Sequence, residues 1–353
     1  MGPRPGRRRA GPAQEGNWAS VNRYRPPEKM KATANARHFP SLRSVLPALI
    51  SLAILALIVE YVRPDELGGA LSRFHLAYLP LVLGLSLAYY LVKGYQWHLF
   101  LKPLRLDHGA VETILIYFAG QPTAILPLGE LSRAFILRQH AKVNLGEVSA
   151  TVVVQELLYP IGLIAAAVPG AAQFPGAQAA VVVALLGILA VSTILLWPRA
   201  FTFVMRFAVK NPLVRRYSGD LMSLHRDVIF IARRPATLLP AVLGPVAAVI
   251  AIAMFYFTVR SVGVNLGIYQ VAFVYAVAHL AGGVSLLPGG IGAYEGSMTF
   301  LLVAFGVLVP VAAAIAILNR AFDRLLVTAV GTVVYFAIRR PLNLRGITLL
   351  PDQ

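Results

Sequence analysis

Residues 109–133 read GAVETILIYFAGQPTAILPLGELSR, and this stretch decides the fold. It begins as an apolar run, is interrupted at Gly120-Gln121-Pro122 and is closed by Pro127. A membrane-crossing helix needs about 20 consecutive apolar residues. Proline inside a helix removes a backbone donor and clashes with the preceding turn. The run is therefore too broken for a full crossing and too apolar for a solvated loop. It reads as a segment that enters a membrane, breaks and returns. Non-helical backbone at membrane depth persists only where protein buries it or where it lines a wet cavity. The break is thus itself a pointer to a functional site.

Working outward, the composition supports a membrane setting. Of 353 residues, 58% are hydrophobic and 13% charged, against about 25% charged in an average soluble domain. So much apolar surface exceeds what a globular core can hide. The expected class is all-α, a polytopic integral membrane protein. Apolar runs at 45–62, 76–95, 148–168, 178–197, 237–259, 267–287 and 311–338, with a short run at 297–308, suggest about six to eight spans. The stretch Lys93-Gly94-Tyr95-Gln96-Trp97-His98 reads as an aromatic and basic interfacial flank of the second span.

The net charge of +17 is concentrated. Residues 1–43 carry ten Lys and Arg against Glu15 and Glu28, and residues 199–234 carry eight against Asp220 and Asp227. Both blocks flank apolar runs. That pattern fits the positive-inside rule and an anionic membrane surface as partner, and argues against nucleic acid. Residues 1–43 read as a disordered cytoplasmic tail, 44–341 as the membrane domain with a basic interfacial segment at 199–234, and 342–353 as a short tail. With the N-terminus inside, the basic residues near 102–105 and the block at 199–234 must lie on one side. Demoting 109–127 to a re-entrant segment satisfies that parity. There are no cysteines. The seven histidines are scattered, without an HExxH pair. No metal or other cofactor is expected.

The second half repeats the first. Ile125-Leu126-Pro127-Leu128-Gly129-Glu130 is matched by Leu286-Leu287-Pro288-Gly289-Gly290, with Glu295 following. A long helix with polar residues in its first half comes after each motif. Glu130 precedes Glu156 by 26 positions, and Glu295 precedes Arg320 by 25. A second broken segment entering from the opposite side makes this an inverted repeat, with the site near mid-membrane between the copies.

Charged residues in these segments are the candidate ligands. Glu130 and Arg133 form an i,i+3 pair that serves either as a helix-start cap or as a phosphate receptor. Glu156 lies within an apolar span, where an unpaired charge costs about 2.5–3.5 kcal/mol on insertion scales. It serves as a ligand or as the partner of Arg320. Gly289 and Gly290 permit a tight turn with exposed N–H groups before Glu295. Arg320, Asp323 and Arg324 share one helix face. Arg320 lies roughly 13 Å into the final run, at 1.5 Å per residue. His279 reads as a packing residue rather than a proton relay.

The Gly-Glu-x-x-Arg motif at 129–133, the Pro-Gly-Gly-x-Gly-x-x-Glu motif at 288–295 and Arg320 on the last span resemble the lysylphosphatidylglycerol synthase transmembrane family, also called the flippase-like or UPF0104 family. The resemblance covers about residues 44–340. It implies a lipid-handling protein of the bacterial inner membrane. In multidomain relatives such a region moves aminoacylated phosphatidylglycerol between leaflets, while a separate soluble domain makes the ester. Where many relatives carry Glu-Arg and then Asp on the helix after the first motif, this chain has Gln155-Glu156 and Tyr159.

The leading expectation is a non-catalytic translocase of a phospholipid or lipid-linked substrate. Arg133 and Arg320 would engage the phosphate, with Glu130, Glu156, Glu295 and Arg324 completing the groove. One rival is an integral-membrane transferase acting on a headgroup or lipid-linked sugar. Another is a scaffold for a partner enzyme.

Overall fold

The computed structural model describes residues 64–104, 109–124, 126, 129–141, 143–173, 177–285 and 287–342. The expected tail at 1–43, the run at 45–62, Pro127 and Leu128 of the first motif and residues 343–353 lie outside these. The helices are α1 (Pro64–Leu71), α2 (Leu79–Leu101), α3 (Ala110–Gly120), α4 (Ser132–Ala141), α5 (Leu145–Ala171), α6 (Ala177–Leu196), α7 (Pro198–Ala208), α8 (Pro212–Arg216), α9 (Ser218–Ala232), α10 (Leu238–Ser261), α11 (Ile268–Val284), α12 (Ala293–Ala304), α13 (Val309–Arg320) and α14 (Leu326–Ile338). A π-helical turn, Ala321–Leu325, joins α13 to α14. No strand occurs among the described residues.

Four described helices are long and apolar enough to cross a membrane: Leu76–Leu104, Leu145–Ala171, Pro235–Ser261 and Val309–Ile338. A fifth is added if Leu189–Leu196 and Pro198–Ala208 count as one span, though they are bent by 96°. The chain is an all-α, multi-pass membrane protein. The described residues thus carry four or five of the six to eight expected spans. The run at 45–62 is outside the described residues, and the run at 267–287 forms only the 17-residue α11, half of a hairpin.

Hydrogen bonds fix the helix directions. Gln96 Nε2 donates to the Pro240 carbonyl at 2.8 Å, and the His75 N–H donates to the Ser261 carbonyl at 2.8 Å. The end of α2 thus meets the start of α10, and the residue preceding the α2 span meets the end of α10. The two helices are antiparallel. α5 is antiparallel to α2 as well: Trp97 Nε1 donates to Thr151 Oγ1 at 3.0 Å, and the Tyr89 and Tyr159 rings lie 5.7 Å apart further along. At one end of the bundle Arg234 donates to the Pro103 carbonyl at 3.0 Å, and Gly146 at the start of α5 faces Asp227 of α9. This end collects the basic connections, as parity requires.

Residues 109–141 form a hairpin. Glu112 of α3 pairs with His140 of α4 at the open end. Ser132 Oγ donates to the Gly120 carbonyl at 3.0 Å at the closed end. The open end lies with the basic connections, because α5 starts three residues beyond α4. α11 and α12 form a second hairpin. Phe273 and Phe305 meet near its open end, with ring centroids 6.3 Å apart, and Gly282 and Gly290 meet at its closed end. This hairpin follows the opposite end of α10, so it opens to the opposite side. The two copies, α2–α5 and α10–α14, are therefore inverted.

The copies interlock through glycines. Gly170 on α5 lies against the Tyr269 carbonyl of α11, and Gly331 on α14 lies against the Phe118 carbonyl of α3. A Cβ at either position would collide with backbone. Each long helix thus packs on the first hairpin helix of the other copy. Small residues permit this approach where dispersion, rather than water exclusion, drives association.

Candidate functional site

The two breaks meet at a cavity of about 710 Å³. The first break contributes Ala124, Leu126, Gly129 and Glu130, and the second contributes Leu287, Gly289, Gly290 and Tyr294. Glu156 of α5, His279 of α11, Arg320 and Arg324 also line it. The second break follows from its glycines. Gly289, Gly290 and Gly292 have φ of 60°, 68° and 88°, the left-handed region that side chains disfavour. A Cβ on Gly290 would also meet the backbone of Gly282. Glu295 then starts α12, its Oε2 accepting from the Gly292 N–H at 2.7 Å.

Four cations, Lys93, Arg133, Arg320 and Arg324, stand against four carboxylates, Glu130, Glu156, Glu295 and Asp323. Glu156 accepts from Lys93 Nζ and from Arg133 Nη2, each at 3.0 Å. Arg133 is fully buried. Its guanidinium lies 5.3 Å from the Trp97 ring and 4.8 Å from the Tyr117 ring. Arg320 Nε donates to Glu295 Oε1 at 2.6 Å and Nη2 to the Gly289 carbonyl at 2.8 Å, with the Tyr294 ring 4.6 Å away. These hydrogen-bonded ion pairs offset part of the desolvation of so many charges.

One pair is open. Glu130 lies 3.7 Å from both Arg133 and Arg324, beyond hydrogen-bond distance. Glu130 Oε2, Arg324 Nε and, on the other side of Glu130, Arg133 Nε and Nη1 are inaccessible and have no hydrogen-bond partner. Both side chains are about one-quarter exposed, at 27% and 26%. Buried polar atoms without a partner are rare and point to a ligand or strain.

A second cavity, about 230 Å³ and largely apolar, adjoins the first. It is lined by Ile291, Glu295, Ile317 and Leu325 and shares Ala124, Gly289, Arg320 and Arg324 with its neighbour. The π-turn helps to shape both. Its Phe322 carbonyl accepts from Ser86 Oγ at 2.7 Å, and its Asp323 carbonyl from the Tyr90 hydroxyl at 2.9 Å.

Of the residues read from the sequence, Glu130, Glu156, Gly289, Gly290, Arg320 and Arg324 line the large cavity, and Glu295 lines the adjoining one. Arg133 is in the cluster but lies behind Glu156, off the cavity wall. Arg320 pairs with Glu295, not with Glu156. Asp323 stays within 3.9 Å of Arg324 but does not line the cavity; its Oδ1 accepts from the Tyr90 hydroxyl at 3.1 Å. His279 both packs, edge-on to Tyr159 at 5.1 Å, and lines the cavity.

Much of the stretch 93–98, expected as an interfacial flank, packs inside the bundle, with Tyr95 left exposed. Lys93, Gln96 and Trp97 are buried, because α2 continues to Leu101 and turns these residues onto α5. Lys93 was therefore missed as the partner of Glu156. Its signal was present: Ser86, Tyr90, Lys93 and Gln96 recur at helical spacing and mark a polar stripe along an otherwise apolar helix.

The sequence profile of the family described as lysylphosphatidylglycerol synthase TM region matches residues 44–331. A UPF0104 membrane protein of Methanothermobacter thermautotrophicus is 37% identical over 78 residues. That match spans 22% of this chain and 23% of the relative's length. The family profile takes in both hairpins, the cavity they enclose and all eight charges around it, and the chain belongs to the lysylphosphatidylglycerol synthase transmembrane-region family.

Proposed function

We propose that this protein binds the headgroup of a phospholipid or lipid-linked substrate in the central cavity and carries it between leaflets, without chemical change. The observation that carries the reading is the junction of a cavity carrying four charged side chains, Glu130, Glu156, Arg320 and Arg324, with an apolar lobe between two oppositely opening hairpins. An amphiphile suits both compartments: the headgroup beside Glu130, Glu156, Arg320 and Arg324, and an acyl chain in the apolar lobe. A cavity of this size is in the range that small ligands fill.

Arg324 is the phosphate receptor in this reading, since its guanidinium lines the cavity, is partly exposed and matches phosphate bidentately. Glu130 receives a cationic or hydroxylated group of the same head. Arg133 and Lys93 hold Glu156 in place. The inverted hairpins supply two related gates, one toward each leaflet. The basic end faces the cytoplasm of a bacterial inner membrane, by the positive-inside rule.

The test is movement of fluorescent-headgroup phospholipids in liposomes holding purified protein, read by a membrane-impermeant quencher. Wild type should expose inner-leaflet lipid to the quencher, and Arg324→Ala should slow this at least tenfold. Movement no faster than in protein-free liposomes, across phospholipids with anionic, zwitterionic and cationic heads, would overturn the reading.

A further inference from the structure

The strongest feature outside the cavity is the corner between α6 and α7. α6 is a 20-residue apolar helix, and the chain turns by 96° after Leu196. If α6 follows the membrane normal, α7 lies in the membrane plane. Trp197, 53% exposed, stands at the turn, the residue type that favours the headgroup level.

α7 is fixed from its inner side. The Phe201 ring stacks on His225 of α9 at 3.8 Å and 10°, and Met205 is buried. Its outer face is left with two adjoining stripes. Phe203 and Phe207 are 60% and 56% exposed, an aromatic surface that water would not tolerate cheaply and an acyl boundary would accept. Beside them run Arg199, Thr202 and Arg206, all exposed.

Arg199, Thr202, Phe203 and Arg206, with Pro198, line a surface groove of about 350 Å³. The two arginines are seven residues apart, so they share a face about 10.5 Å apart along the axis. That spacing lets two long side chains close on one group from both ends. Neither guanidinium has a carboxylate partner within 4 Å among the described residues. The Thr202 hydroxyl donates back to the Pro198 carbonyl at 2.8 Å, leaving the arginines as the groove's charged groups.

We propose that this corner is a binding site for an anionic glycerophospholipid of the surrounding leaflet. The lipid phosphate sits between Arg199 and Arg206, and its acyl chains run beside Phe203 and Phe207. The site is separate from the central cavity and does not depend on what the cavity carries. It ties α7 to the headgroup level and makes the protein sensitive to the anionic lipid content of its membrane.

The test compares melting of the purified full chain in a neutral detergent as dioctanoyl phosphatidylglycerol is titrated in. Dioctanoyl phosphatidylcholine and inorganic phosphate serve as alternative probes. The anionic lipid should raise the melting temperature, and the other two should not. In the Arg199→Gln/Arg206→Gln double variant the midpoint of that response should move about tenfold or more to higher lipid concentration. Arg215→Gln/Arg216→Gln, which removes two nearby exposed charges outside the groove, should respond like wild type. A wild-type response in the Arg199/Arg206 variant would overturn the site. An equal loss in the Arg215/Arg216 variant would reduce it to diffuse charge, and an equal response to inorganic phosphate would remove the lipid from the proposal.

Discussion

Glu295 and Arg320, 25 positions apart in the chain, meet at 2.6 Å and hold the second break shut. The same carboxylate caps the start of α12 through the Gly292 N–H, and the same guanidinium reaches the Gly289 carbonyl. One ion pair thus joins the turn, the helix after it and the long final helix.

Glu295→Gln should lower stability by about 3 kcal/mol, because it leaves the Arg320 charge without its partner in a poorly solvated site. Denaturation monitored in detergent reads this directly. Unchanged stability would mean that the pair does not hold the break.

Arg133 and Arg324 should behave differently when replaced. Arg133 is fully buried, paired with Glu156 and packed between Trp97 and Tyr117. Arg133→Ala should cost about 3–5 kcal/mol, with lipid movement tracking the amount of folded protein. Arg324 lines the cavity, and its nearest carboxylates lie 3.7 and 3.9 Å away. Arg324→Ala should leave melting closer to wild type and slow lipid movement. Arg324→Lys should not rescue it, since an ammonium lacks the bidentate fork. Measuring melting and lipid movement on the same preparations separates the two outcomes.

Gly331→Ala should destabilise by about 1–3 kcal/mol, because the added methyl meets the Phe118 carbonyl where α14 packs on α3. Gly187→Ala on α6 has open space around it and should be neutral or slightly stabilising, through the better helix propensity of alanine. Equal melting of the two variants would contradict the close approach.

Topology can be read by single cysteines, since the chain has none. Gln139 near the end of α4 and Gln173 just past α5 are both exposed and flank the two ends of α5. An impermeant thiol reagent applied to intact cells should label Gln173→Cys and spare Gln139→Cys. Labelling of Gln139→Cys from outside would overturn the re-entrant hairpin or the orientation, and labelling of both would mean that α5 does not cross.

Much of the fold is local information, and the sequence by itself determined it. Apolar runs with the helical period specify helices wherever water is absent. Gly120-Gln121-Pro122 and Pro288-Gly289-Gly290 specify breaks, because proline cannot donate and glycine alone enters the left-handed region without strain. Repetition of break, glutamate and long helix revealed the two copies, and the basic blocks revealed which ends lie together. Those signals also singled out seven residues that line the two cavities, Glu130, Glu156, Gly289, Gly290, Glu295, Arg320 and Arg324.

Partner choice was decided only by tertiary structure. Lys93 lies 63 positions from Glu156, and no periodicity links them. They meet because α2 and α5 pack antiparallel. Arg133 was drawn off the cavity wall by Trp97, Tyr117 and Glu156, three groups on three helices. Asp323 was drawn off the cavity wall to Tyr90, within a π-turn whose carbonyls are held by Ser86 and Tyr90 of another helix. Charges within an apolar medium must find partners, and many partners would satisfy the sequence equally well. Packing geometry, acting over tens of residues, selects among them.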